Sequence, residues 1–262
     1  MIRRQSSREA TPQSGASRHD LAVGESCLRP GLRVYCVGDI HGRSDLLASL
    51  RAAIADDMAR RPMAEAVTVF LGDYIDRGPD SFGVIDILAS EPFPTAIEAL
   101  RGNHEVMLLG FLADSLELGA WRRFGGLETL TSYGIPVGEA QAGSGYEEAR
   151  RRLIECMPPS HLAFLQATKP LLAIDDYFFC HAGVRPGVPL TAQTVRDLLW
   201  IRDDFLSYRG PFGKIVVHGH TPVAAPEIHP YRINIDTRAF ATGQLTCLVL
   251  EGDGQAFLSG GQ

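Results

Sequence analysis

A chain of 262 residues, 45% of them hydrophobic, is long enough to bury one large core. Its formal charge of −6 argues against a general nucleic-acid coat, because a phosphate-binding footprint is basic, while leaving room for a local basic pocket. The longest apolar runs, such as 171–174 and 177–180, are strand-sized and far below the roughly 18 residues a membrane span needs.

Residues 1–30 begin with Arg3 and Arg4 but lack the apolar segment of a secretory leader. They read as a disordered tail ahead of a single domain over 31–262. Within that domain, strand-like 33–38 precedes helical 44–60, with Ser44 as expected N-cap and Leu46, Leu47, Leu50, Ile54 and Met58 as an apolar stripe. A second strand at 66–72 precedes a second helix at 80–90. A third strand is expected within 94–102, before a helix at 104–114. This order predicts an α/β fold with parallel strands at its centre. The stretch from about 116 to 168 is rich in helix signals and reads as a helical insertion shaping substrate access. Strand-like runs return at 171–174, 177–181, 215–218, 231–236 and 244–250, with hairpin signals at 175–176 and 251–255. The five cysteines, Cys27, Cys36, Cys156, Cys180 and Cys247, are odd in number and mostly set in apolar stretches. That suits buried, reduced thiols rather than a disulfide frame, and a cytoplasmic location.

The polar clusters fall where strands end, which is where open α/β sheets bind ligands. In order they are GDIHG (38–42), GDYIDRG (72–78), RGNHE (101–105), HAG (181–183) and HGHTP (218–222). Asp39 and His41 are two apart, so an extended backbone directs both to one face. Taken alone, GDIHG is equally a polar turn capping the next helix, Asn103 reads as an ordinary N-cap, and a single strand-end histidine is usually structural. Five such clusters in this order favour a shared site. Asp39, His41 and Asp73 would supply one ion, and Asp73, Asn103, His181 and His220 a second, with Asp73 bridging. Nitrogen and oxygen ligands without cysteine suit Mn²⁺, Fe or Zn²⁺ and suit Mg²⁺ poorly. Arg77, Arg101 and Arg202 could add charge for a phosphate dianion, whose oxygens match the guanidinium fork.

This ordered set resembles the phosphoprotein phosphatase family of metallophosphoesterases, especially small bacterial and phage serine/threonine phosphatases. The likeness extends over most of 33–252, including LLWIRDDF (198–205) and INIDT (233–237). It implies a calcineurin-like fold, two mixed β-sheets sandwiched between helices, with two divalent metal ions, Mn²⁺ foremost. It assigns metal-ligand roles to Asp39, His41, Asp73, Asn103, His181 and His220, and phosphate contacts to Arg77 and Arg202, with Arg101 as a further candidate. His104 becomes the general acid, oriented by Asp76, while a bridging hydroxide attacks phosphorus in line. The implied substrate is a phosphoprotein or phosphopeptide, with no nucleic-acid or membrane partner; the oligomeric state stays open. Three departures stand out: Pro222 replaces a histidine common in the wider superfamily, Arg238 stands where glycine is expected and is assigned to solvent, and His218 has no ligand role. The alternatives are hydrolysis of diadenosine tetraphosphate, by a sister family that typically lacks the counterpart of Asp76, and a scaffold that has lost catalysis.

Overall fold

The computed structural model describes residues 22–90, 92–136, 138 and 145–261. Of the tail expected over 1–30, residues 1–21 lie outside the described residues. The first sheet takes the order β10-β9-β1-β2-β3, built from β1 (Leu32–Val37), β2 (Glu65–Phe70), β3 (Ala96–Ala99), β9 (Leu245–Glu251) and β10 (Gly254–Gly260). The second takes the order β4-β5-β6-β8-β7, from β4 (Leu171–Ile174), β5 (Tyr177–Cys180), β6 (Ile215–His218), β7 (Glu227–His229) and β8 (Arg232–Asn234). Strands β1, β2 and β3 run parallel and β9 antiparallel to β1; β5, β6 and β8 run parallel with antiparallel edges. Both sheets are mixed, as the resemblance implies.

Strand alternation explains how these sheets stack. Val34 and Cys36 of β1 point into the core between the sheets, meeting Tyr177, Phe179, Ile215 and Val217. Tyr35 and Val37 point the other way, onto a helical layer that includes Leu47, Leu50 and Ile54 of α1 (Ser44–Arg60). On the far side of the second sheet, Phe178, Cys180 and Val216 pack against Leu198 and Phe205 of the short helices Val195–Trp200 and Asp203–Leu206. Each fully buried aliphatic chain in these layers contributes about 1.5–3 kcal/mol. The result is a four-layer α/β/β/α sandwich.

Several local expectations shift. The N-cap of α1 is Arg43, without a side-chain cap bond; Ser44 is already helical, and its hydroxyl donates to Asp80 at 2.5 Å. Strand β7 escapes the sequence reading, which marks β10 only through the hairpin signal at 251–255 and not by its own residues. Strand β7 has only three residues, and GQAFLSG of β10 has weak strand propensity and is held by pairing with β9. Residues 22–30, grouped with the tail on sequence, are fastened to the sandwich. Val23 N–H donates to Pro230 O, Leu28 N–H to Gly252 O and Cys27 N–H to Asp176, while Leu28 is buried in the inter-sheet core. α2 (Ser81–Ser90) and α3 (Asn103–Ala113) follow their expected places, and the described residues of 116–168 are largely helical, with α4 (Leu118–Trp121), α5 (Gly126–Ser132) and helices Tyr146–Cys156 and Pro159–Ala167.

Candidate active site

The parallel strands β1, β2, β3, β5 and β6 are each followed within a few residues by part of one polar cluster: Asp39 and His41, Asp73 and Asp76, Asn103 and His104, His181, and His220. All of these side chains are buried. Their loops turn sharply. His41, Asp73, Asp76, Arg77 and His220 have positive φ, from 46° to 73°, although none is glycine. Such conformations cost of order 1–3 kcal/mol each and persist where surroundings impose them. Glycine is required at Gly219 by close approach, since a Cβ there would collide with the Asp39 carboxylate.

Asp73 is the centre of the cluster. Its Oδ2 lies 3.5 Å from His41 Nε2, 3.6 Å from His104 Nε2 and 3.4 Å from His181 Nε2. Two overlapping groups share it: His41, Asp73 and His104, and Asp73, His181 and His220. Burial opposes its charge, but His104, His181 and His41 prevail and hold its pKa well below the usual carboxylate range. Glu105, unassigned by the sequence reading, secures the backbone around it. Its carboxylate accepts the N–H groups of Asp73 at 2.9 Å, Tyr74 at 2.8 Å and Gly102 at 2.8 Å. Burial and the Asp73 charge lift the Glu105 pKa to about 7.

The imidazole orientations are fixed by backbone carbonyls. His41 Nδ1–H donates to Ile75 O at 2.8 Å and His181 Nδ1–H to Leu71 O at 3.0 Å, so each directs Nε2 at Asp73. His181 Nε2 also faces Asn103 Oδ1 at 2.9 Å and His220 Nδ1 at 3.1 Å. Four nitrogen and oxygen atoms thus converge, from Asp73, Asn103, His181 and His220, and His220 Nε2 is buried without a hydrogen-bond partner. Lone pairs packed this closely repel one another unless a proton or a cation lies among them. Burial lowers the pKa of His41 to about 3, and burial with His181 lowers that of His220 to about 2, leaving both neutral and available as ligands. For His181 burial is outweighed by Asp73, and the pKa rises to about 9: one proton can supply the charge the group requires. This donor set fits a divalent metal ion. Asp39 stands beside it, accepting His220 N–H at 3.1 Å; burial and neighbouring Asp236, a buried carboxylate missed on sequence, raise the Asp39 pKa well above normal.

The contact between His104 and Asp76 is short and direct, with His104 Nδ1 2.6 Å from Asp76 Oδ2. Burial opposes the imidazolium, but Asp73 and the Asp76 hydrogen bond outweigh it and raise the His104 pKa. Arg77 Nη2 lies 3.2 Å from His104 Nε2, and its guanidinium lies 5.2 Å from the ring centre of Phe240. Arg202 is exposed in a cleft of about 600 Å³ lined also by Arg185, Arg196, Asp197 and Trp200, whose indole lies 6.2 Å edge-on from His220. Arg101 is directed elsewhere. Its guanidinium donates to Thr168 Oγ1 at 2.8 Å and to the carbonyls of Gln166 and Thr168, closing the end of helix Pro159–Ala167. Arg238 is exposed at φ 56°, as expected of a solvent-facing residue, and buried His218 contacts Gly219 O and Arg232. No helix among the described residues is long and apolar enough to cross a membrane.

Comparison with known proteins agrees with this architecture. The family model described as calcineurin-like phosphoesterase matches residues 32–243. The chain is 42% identical over 221 residues to serine/threonine-protein phosphatase 1 of Salmonella typhimurium, covering 81% of this chain and 89% of the relative. It is 28% identical over 235 residues to the asymmetrical bis(5'-nucleosyl)-tetraphosphatase PrpE of Anoxybacillus flavithermus, covering 81% and 88%. Among solved structures, a candidate diadenosine tetraphosphatase superposes with a TM-score of 0.59 at 21% identity over 89% of this chain and 96% of the other. A cold-active protein tyrosine phosphatase gives 0.51 at 17% identity, over 88% and 81%. At those identities the two structures speak for the fold alone. With a two-sheet sandwich, a site of buried carboxylates and imidazoles at its strand ends, and a family match over most of its length, the chain belongs to the calcineurin-like metallophosphoesterases.

Proposed function

We propose that this chain is a dinuclear metal-dependent hydrolase that cleaves a phosphoanhydride of a dinucleoside polyphosphate. The observation that carries the reading is the convergence of His41 and His181 on Asp73, with Asn103 and His220 facing His181 and Asp39 accepting the His220 N–H. The substrate class rests on the activity named for the PrpE relatives and on the cleft beside His220, whose volume of about 600 Å³ and exposed Trp200 suit a nucleoside. Bound divalent cations, Mn²⁺ foremost, would supply Lewis acidity and a water ionised near neutral pH. The protein's own part is positioning: Arg77 and Arg202 offer guanidinium groups to phosphate oxygens, and His104 presents Nε2 to the departing oxygen.

A second reading, hydrolysis of phosphoserine or phosphothreonine in proteins, is the one the sequence ranks first. It is favoured by the 2.6 Å His104–Asp76 pair, because a serine alkoxide needs a proton to leave while a polyphosphate departs as a stabilised anion. The Salmonella relative points the same way. The two are separated by kcat/KM for diadenosine tetraphosphate and for phosphoserine peptides, short and protein-borne, with Mn²⁺ supplied. The first reading expects the dinucleotide to be the better substrate. Faster turnover of phosphopeptides establishes the second, and no hydrolysis of either with Mn²⁺, Fe²⁺ or Zn²⁺ overturns both.

A further inference from the structure

We propose that Trp121 and Thr129, carried by the helical insertion, are positioning residues that hold the His104 proton donor in its working orientation. The inference rests on the reading of His104 as proton donor given above. Asp76 Oδ2 accepts two N–H groups, from His104 Nδ1 at 2.6 Å and from Trp121 Nε1 at 2.7 Å. Its other oxygen accepts the Thr129 hydroxyl at 2.6 Å, and the same hydroxyl oxygen lies 2.9 Å from the Asp76 backbone N–H. Thr129 therefore grips Asp76 at main chain and side chain together. With donors on both oxygens the carboxylate cannot rotate, and a fixed carboxylate allows the imidazole one plane.

A buried indole needs an acceptor, and an ordinary backbone carbonyl would satisfy that need. Here the acceptor is the carboxylate that orients His104. The same segment also closes around Arg77, whose N–H approaches Gly125 O at 3.4 Å, and it places exposed Phe124 edge-on to the His104 ring at 6.3 Å. Gly125 has φ 103°, and a Cβ there would lie 2.5 Å from Arg77 N, so the segment can approach this closely only with glycine. Residues 45 and 53 positions beyond Asp76 thus complete its environment. The insertion belongs to the chemical machinery as well as to the rim of the site.

The test compares Trp121→Phe, Thr129→Val and Thr129→Ser with His104→Asn in the Mn²⁺-loaded enzyme, across aryl and alkyl phosphates of rising leaving-group pKa. Trp121→Phe keeps an aromatic ring against Phe111, 5.3 Å away between ring centres, and removes the indole N–H. The expected result is a fall in kcat of about 10–100-fold on alkyl esters, the usual cost of losing an outer hydrogen-bond partner, with KM little changed. The loss on p-nitrophenyl phosphate should be within about threefold, since that leaving group needs little help. Thr129→Ser, which keeps the hydroxyl, should restore most of the activity lost in Thr129→Val. In metal-free protein the Trp121 indole N–H resonance should move on Asp76→Asn while that of Trp200 stays. A leaving-group-dependent loss in His104→Asn beside a uniform loss in the Trp121 and Thr129 variants overturns this inference alone. A uniform loss in His104→Asn overturns the proton-donor reading and this inference with it. If Trp121→Phe does not fold, the Thr129 pair and the indole resonance decide.

Discussion

Three imidazoles face Asp73 Oδ2 at 3.4–3.6 Å, so a neutral amide at that position removes the charge which both ligand groups share. Asp73→Asn is expected to lose both metal ions and activity; metal per chain after dialysis checks it, and two retained ions would remove Asp73 from the bridging position. The arginines separate by what they touch. Arg202→Ala is expected to cost about 2–4 kcal/mol in kcat/KM and to weaken inhibition by inorganic phosphate, as the loss of a strong electrostatic contact does. Arg101→Ala should leave phosphate inhibition unchanged and instead lower stability by about 2 kcal/mol, because its charge-assisted hydrogen bonds close the helix Pro159–Ala167. The motif RGNHE displays Arg101 and His104 three residues apart but carries no sign that one turns to a helix end and the other to the site. The part Glu105 plays was hidden for a related reason: beside the nearby Gly102 N, two of its three partners, Asp73 N and Tyr74 N, lie more than thirty residues away.

At the level of elements, strand β1 and helix α1 are joined by a polar network inside an apolar interface. Asp57 of α1 accepts the Tyr35 hydroxyl at 2.6 Å and the buried Arg33 guanidinium at 3.3 Å, and pairs with Arg61. Burial works against its ionisation, but Tyr35, Arg61 and Arg33 prevail and lower its pKa. A depressed carboxylate contributes stability above its unfolded pKa of about 4 and loses it as pH falls through the folded value. Asp57→Asn is therefore expected to lower stability by about 2–3 kcal/mol at pH 7, with the gap from wild type narrowing below about pH 4. Thermal melts at pH 7 and pH 3.5 measure this; a gap that persists unchanged in acid would show that the charge of Asp57 contributes nothing. The stripe Leu46, Leu47, Leu50, Ile54 and Met58 was legible from period alone; the first four are buried and Met58 is half-buried. The place of Asp57 on that same buried side was not, because its partners sit on another element. Strand β7 was missed, and β10 was marked only by its turn, on the same grounds: they are strands by virtue of the neighbours they pair with.

Across the whole molecule, the candidate ligands come from both sheets. His41, Asp73 and Asn103 follow strands of the first, and His181 and His220 follow strands of the second. A cation held by both sets fastens the two sheets at one end, so chelation should destabilise the entire sandwich. With metal at about 100 times its Kd, mass action gives about 2.7 kcal/mol, or roughly 5–10 °C in Tm for a domain of this size. Melts with Mn²⁺ and with EDTA measure the difference, and it should vanish in Asp73→Asn. At the opposite extreme of function, Leu28→Ala, which empties a place in the inter-sheet core, should cost about 2–5 kcal/mol without altering metal binding.

By itself the sequence determined the α/β order, the two-sheet fold through its resemblance, and the identity and strand-end placement of the polar clusters. Each of these is written locally, in the period of apolar residues or in a motif of a few positions. Tertiary structure alone decided that His181 Nε2 meets Asn103 and His220, that Arg101 serves a helix end, that residues 22–30 join the sandwich, and that Trp121 and Thr129 reach Asp76. Hydrogen bonds between residues far apart in the chain depend on where loops and helices are carried by the packing of two sheets, and periodicity along one strand or helix holds no record of that distance.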